Sequence, residues 1–244
     1  MLVLVDSKKD SVHRLRTSTR RIEAQLELLS LLPDLPDYRK AAKKVRRPLK
    51  ELRRAAGLVR DLDVQRGLVK GRVTFDSAKK LRKDAYDLRR VLKHQRSAEI
   101  ETLEETVKKE QDTLAPALER LMEALKPAEG LAISFQQVGD LTLNWYRQDT
   151  SSAEAGLDSD GLHAIRRSAK LARYMAETAA TEVSRSFEAI QEAGGKWHDL
   201  LTLGETARRH LGGKSMLTQA ISRECENALE EYREVLRRQD STTG

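Results

Sequence analysis

The chain has 244 residues and a formal net charge of +7, with 34% charged and only 4% aromatic residues. Its single cysteine, Cys225, excludes an internal disulfide framework and a cysteine-built metal centre. No stretch approaches the roughly 18 apolar residues of a membrane span, and no secretory leader pattern precedes the first charged segment, so the expected location is the cytoplasm. A core of the needed size must come from Leu, Val, Ile and Ala at helical spacing, and strands are poorly supported.

In chain order, the first predicted helix starts at Asp10 or Ser11 as N-cap and runs to about Leu32, where Pro33-Asp34-Leu35-Pro36 stops it. A second runs from about Asp37 to Val69 and contains Pro48, which either kinks it or opens a fresh first turn. The third pattern, Ser77 to Leu125, places Ala78, Leu81, Ala85, Leu88 and Leu92 on one face. It is so long that a break near Pro116 is expected, and Lys126-Pro127-Ala128-Glu129-Gly130 ends it. Residues 131–149 are ambiguous, and the small, acidic stretch Ser151 to Gly161 reads as a linker. Ser159 or Asp160 then caps a helix carrying His163, Gly194-Gly195 separates it from a helix beginning near Trp197, and Gly212-Gly213 precedes a last helix from about Ser215 to Arg238.

Charge is distributed unevenly along this string of helices. Residues 1–96 carry 27 Lys and Arg against 12 Asp and Glu, a balance of +15, whereas residues 97–244 carry 18 against 26, a balance of −8. A one-sided surplus of this size costs self-repulsion and points to an anionic partner, the plain alternative being a solubilising surface.

Two segments repeat a pattern of His-x-x-Arg-x-x-x-(Arg or Lys): His13, Arg16 and Arg20 in the first, His163, Arg166 and Lys170 in the second. At about 100° per residue each triplet falls within about 60° on a helix. Leu15, Ile22, Leu26 and Leu29 lie opposite the first row, and Ile165, Ala169, Ala172 and Met175 turn away from the second. Each copy is followed by Gly-x-x-(Arg or His)-Asp-Leu: Gly57 to Leu62 with Arg60, and Gly195 to Leu200 with His198. The same order in both halves indicates an internal duplication, with halves at residues 1–130 and 131–244.

These paired motifs, together with Arg21 after the first row, Asp63-Val64 after the first Asp-Leu, and Arg173-Tyr174 after the second row, resemble the CHAD family, the conserved histidine α-helical domain. The resemblance covers essentially the whole chain, so that the two halves together form one CHAD-like domain. It implies an all-α fold of two antiparallel four-helix bundles related by a pseudo-twofold. A basic groove or pore between them would bind inorganic polyphosphate, and the cellular place implied is the polyphosphate granule. It assigns His13, Arg16, Arg20 and Arg21, and then His163, Arg166, Lys170 and Arg173, to the anion surface. Two departures stand out: Leu171 replaces a second basic residue after Lys170, and Leu201-Thr202 replaces the Asp-Val that follows Asp61-Leu62.

Arginine suits phosphate because its planar fork donates two parallel hydrogen bonds and keeps its charge. A second ladder, Lys43, Arg47, Lys50 and Arg54, clusters within about 60° if the helix continues through Pro48. Lys79, Arg82, Arg89, Arg90 and Lys93 spread over an arc opposite the apolar stripe of the third helix, and Arg60 and His198 complete the candidate set. For each row the competing reading is a solvated helix face.

The histidines sit among guanidinium groups rather than carboxylates or thiolates, which disfavours a metal site. No magnesium-binding carboxylate cluster or Gly-rich phosphate loop suggests phosphoryl transfer. Asp61 reads as an orienter for an arginine such as Arg20 or Arg60, with Asp199 its counterpart. The expectation is therefore non-catalytic polyphosphate binding without a cofactor. A helical nucleic-acid binder using the same basic surface is the alternative, set back by the few aromatics of the basic half: Tyr38, Phe75 and Tyr86.

Overall fold

The computed structural model describes residues 9–74, 76–154 and 158–242, and among these the chain is helical with no strand. The helices are α1 (Lys9–Leu31), α2 (Arg39–Gly71), α3 (Lys79–Leu125), α4 (Phe135–Glu154), α5 (Ser159–Ala176), α6 (Thr181–Ser186), α7 (Glu188–Leu211) and α8 (Met216–Thr242), with a 3₁₀ turn at Lys126–Ala128.

Contacts divide the chain into two compact units, and each takes segments from both sides of residue 130. The first comprises residues up to 60, 98–149 and 171–185; the second comprises 61–97, 150–170 and 186–244. Helices α2, α3, α4 and α5 each contribute residues to both.

In the first unit, Val12, Leu15 and Leu26 of α1 pack with Val45, Leu49, Leu52, Ala56 and Val59 of α2 and with Leu103, Val107, Leu114, Ala117 and Leu121 of α3. A second cluster joins Ala24 and Leu28 of α1 to Val138 of α4 and to Tyr174 and Met175 of α5. In the second unit, Val69 of α2 and Ala85, Leu88 and Leu92 of α3 meet Leu203 and Ala207 of α7 and Leu217 and Ile221 of α8. These are aliphatic stripes at helical spacing, and burying each large side chain is worth about 1.5–3 kcal/mol.

Both interior prolines are tolerated. α2 continues through Pro48, which is itself buried beside Leu49, and this settles the choice between a fresh turn and a continuous helix. α3 also runs unbroken through Pro116, against the expected break. Proline removes the hydrogen bond to the carbonyl four residues earlier. For Pro116 that carbonyl belongs to Asp112, an exposed residue where water can replace the lost donor, while Leu114, Ala117 and Leu121 hold the flanking turns in the core.

Helix starts are marked by side-chain caps. Ser134 and Gln137 form a reciprocal capping box at α4, with the Gln137 N–H donating to Ser134 Oγ at 3.1 Å and the Ser134 N–H to Gln137 Oε1 at 2.8 Å. α5 is capped by Asp158, which accepts the Gly161 N–H at 2.8 Å, one residue before the expected Ser159. The expected linker also shrinks, because α4 reaches Glu154 and α5 begins at Ser159; residues 155–157 of that stretch lie outside the described residues.

The largest departure concerns Gly194-Gly195. These glycines do not separate two helices; both lie within α7. The helix ends instead at Gly212, whose N–H still donates to the Arg208 carbonyl at 3.0 Å and whose φ of 80° turns the chain out of the helix.

Candidate phosphate-binding surfaces

In the first unit, the α1 row begins at exposed His13 and continues to Arg16 and Arg20, both half-buried with a buried Nε. Val12, Leu15 and Thr19 between them are buried, and the Thr19 hydroxyl donates to the Arg16 carbonyl at 3.0 Å. The stem of Arg16 runs beside α2: its Nε stands 3.8 Å from the place a Cβ would take on Gly57. Arg16 also repels the charge of Arg53, whose guanidinium is held below its usual pKa by burial first and Arg16 second.

Two carboxylates further along α1 pair with arginines of α2. Glu23 pairs with Arg53, and Glu27 accepts from Arg46 at 3.1 Å, while Arg46 also donates to the Leu26 carbonyl at 3.0 Å. The second ladder, Lys43, Arg47, Lys50 and Arg54, is exposed along one side of α2, opposite the buried Val45, Leu49, Leu52, Ala56 and Val59. Arg60 ends the first unit's part of α2, half-buried.

Arg21 is held by a carboxylate. Its Nε and Nη2 donate to Glu177 at 2.6 and 2.8 Å, and the bonds hold the Glu177 carboxyl below the usual carboxylate range. Arg21 and Arg173 both approach the ring of Tyr174, at 5.9 and 5.7 Å from its centroid. Gln25 adds a bond to the Tyr174 carbonyl at 3.0 Å. Arg21 thus ties α1 to the end of α5 before any ligand arrives.

In the second unit, the half-buried His163 belongs to an aromatic group that sequence reasoning missed. Its ring lies 4.5 Å from Trp197 and meets His198 edge-on at 5.1 Å, and Trp197 stacks on Tyr232 at 5.8 Å. Tyr232 is fully buried and donates its hydroxyl to the Leu162 carbonyl at 3.1 Å; burial pushes its phenol pKa up. Desolvation, followed by the charges of Arg166 and Arg167, keeps the His163 imidazole below its ordinary pKa despite Asp160 and Glu205.

Arg166 is half-buried with a buried Nε, and its stem crosses α7 at Gly194. A Cβ there would stand 3.0 Å from Arg166 Cγ and 2.9 Å from Tyr232 Cζ. Lys170 is half-buried further along α5. On α3, Lys79, Arg82, Arg89, Arg90 and Lys93 are all exposed, opposite the buried Ala85, Leu88 and Leu92.

Asp61 and Asp63 have separate surroundings. Asp63 is buried and receives Arg96 Nε at 2.7 Å and Nη2 at 3.1 Å, a fork closed within this unit. Asp61 is half-buried. A partner 33 residues away leaves no local signature, which is why Arg96 was not singled out. Among the described residues no group of three or more His, Cys, Asp or Glu could hold a metal ion, and no helix is long and apolar enough to cross a membrane.

An all-helical chain whose half-buried arginines follow two copies of one histidine motif defines the class: a helical protein built around histidine–arginine rows. The CHAD domain family model matches residues 1–208, and the chain belongs to that family. A solved structure, PptA from Streptomyces chartreusis, superposes with a TM-score of 0.70, covering 94% of this chain and 90% of that one at 16% identity, a likeness of fold. No curated protein matches the chain.

Proposed function

We propose that the protein binds inorganic polyphosphate without catalysing its turnover, and that it targets or organises polyphosphate granules in the cytoplasm. Membership of a family linked to polyphosphate supports this reading. So does one geometric observation: in each unit the Arg of His-x-x-Arg is half-buried beside a glycine of a helix in the same unit, Arg16 by Gly57 and Arg166 by Gly194. A guanidinium with its stem held by packing loses less conformational freedom on binding an anion than one on an open surface. Exposed Lys43, Arg47, Lys50 and Arg54 would follow the chain beyond these anchors, where a linear polyanion gains from many modest contacts and from counterion release.

Titration of the protein against polyphosphate, duplex DNA and single-stranded RNA at matched phosphate concentration and physiological salt tests the proposal. Polyphosphate should bind tightest, with log affinity falling linearly with log salt and no phosphate released. The double change Arg16→Gln with Arg20→Gln should weaken binding more than Arg166→Gln with Lys170→Gln, because the exposed ladder Lys43, Arg47, Lys50 and Arg54 lies in the unit of Arg16 and Arg20. Equal affinity for all three polymers would reduce the protein to a generic cation.

A further inference from the structure

The first segment of α3 carries a face that the polyphosphate reading does not use fully. Taking Tyr86 as centre at about 100° per residue, Lys79, Arg82, Lys83, Arg89, Arg90 and Lys93 all fall within about 60° to either side, over about 21 Å of helix axis. All are exposed, and Tyr86 itself is 68% exposed. Among the described residues Phe135, 74% exposed, is the other strongly exposed aromatic, and Tyr86 stands out from it by sitting at the centre of six cations.

The two acids between these cations, Asp84 and Asp87, lie off this face. Asp84 is about 160° away from Tyr86, toward the buried side, where it accepts the Ser215 hydroxyl at 2.7 Å. Asp87 is about 100° away and half-buried. The opposite side of the helix is closed by Ala85, Leu88 and Leu92. The face is therefore basic along its length and apolar only at its centre.

A ring gives inorganic polyphosphate nothing to stack on. It suits a polyanion that carries flat groups between its phosphates. We propose that this face of α3 binds single-stranded nucleic acid, with phosphates on the Lys and Arg side chains and one base stacked on Tyr86. A duplex presents the same phosphates but keeps its bases stacked on each other, so the ring favours the single strand.

Fluorescence anisotropy with a labelled mixed-sequence RNA 12-mer, and competition by polyphosphate of equal phosphate number, test this on the full chain. Tyr86→Ala should weaken RNA binding about 5- to 140-fold, the range expected for one stacked base, while leaving polyphosphate affinity unchanged. Tyr86→Phe should restore RNA binding. Arg89→Gln with Arg90→Gln should lower RNA affinity and flatten its salt dependence. An RNA affinity indifferent to Tyr86→Ala, or an equal loss for RNA and polyphosphate, would overturn the proposal. The RNA readout stands even if polyphosphate fails to bind, so the two readings fail separately.

Discussion

Adjacent glycines in α7 should respond to alanine with opposite signs. Alanine in a helix interior is favoured over glycine by about 1 kcal/mol through reduced backbone entropy in the unfolded chain. At Gly195 nothing lies within 4 Å of the added methyl, so that gain is kept. At Gly194 the methyl would stand 2.9 Å from Tyr232 Cζ, 3.1 Å from Tyr232 Cε2 and 3.0 Å from Arg166 Cγ, against about 3.5–4.0 Å for relaxed carbon contacts.

Tyr232 cannot yield cheaply: it is fully buried, stacked on Trp197 and bonded to the Leu162 carbonyl. Overpacking of this kind costs about 1–3 kcal/mol, which after the helix gain leaves Gly194→Ala a net loss of up to about 2 kcal/mol. For a chain of this size that lowers the Tm by up to about 5 °C, while Gly195→Ala raises it by about 2–3 °C. Thermal unfolding followed by circular dichroism measures both. Equal stabilisation by the two substitutions would show that α7 is not closely approached at Gly194, and the account of how Arg166 is held would fall with it.

Three further outcomes follow from the same contacts. Asp63→Asn removes the charge that holds Arg96 in a buried fork and should cost about 1.5–3 kcal/mol, read as a lower urea midpoint at constant m; an unchanged midpoint would mean that water already replaces the pair. Glu177→Gln should free Arg21 and raise polyphosphate affinity up to about 5-fold, whereas Arg21→Ala should leave it nearly unchanged; a tenfold loss in Arg21→Ala, measured by calorimetry, would place Arg21 on the ligand despite its ion pair. Because the His163 pKa is lowered in the fold, the unfolded chain binds the proton first as pH falls. Stability should therefore be full above the ordinary imidazole value of about 6.5 and decline as pH drops below it, and His163→Gln should flatten that decline in denaturant titrations at stepped pH.

What could be read from the residue pattern was whatever depends on one helix at a time. Leu15 and Leu26 opposite the first cationic row, and Ile165, Ala169, Ala172 and Met175 behind the second, are all buried as their spacing requires. The ladder on α2 keeps its single exposed face because the helix does continue through Pro48. The failures share a different cause. Pro116 and Gly194-Gly195 are breakers by local propensity, and each lies where partners far along the chain pack: Leu15, Val45 and Leu49, in one core with Leu114 and Leu121, in one case, and Tyr232 in the other. Glu177 and Arg96 went unnoticed for the same reason, since their partners Arg21 and Asp63 are 156 and 33 residues distant.

The two glycine motifs sharpen this point. By spacing, Gly57 corresponds to Gly195, each three residues before the Arg60 or His198 of its motif. By contact, the glycine that meets the arginine stem in the second unit is Gly194, one residue earlier and about 100° around the helix. In the first unit the distance at Gly57 is an ordinary 3.8 Å from Arg16 Nε; in the second it is 3.0 Å from Arg166 Cγ, with Tyr232 pressing from the same side. The first contact reaches the guanidinium and leaves slack, whereas the second clamps the stem near the backbone. An arginine clamped at its stem has fewer positions for its head and should be the more selective of the two for ligand geometry. The looser Arg16 shares its unit with Arg53 and the exposed ladder of α2. The repeated motif therefore sets its arginine on two different mechanical supports.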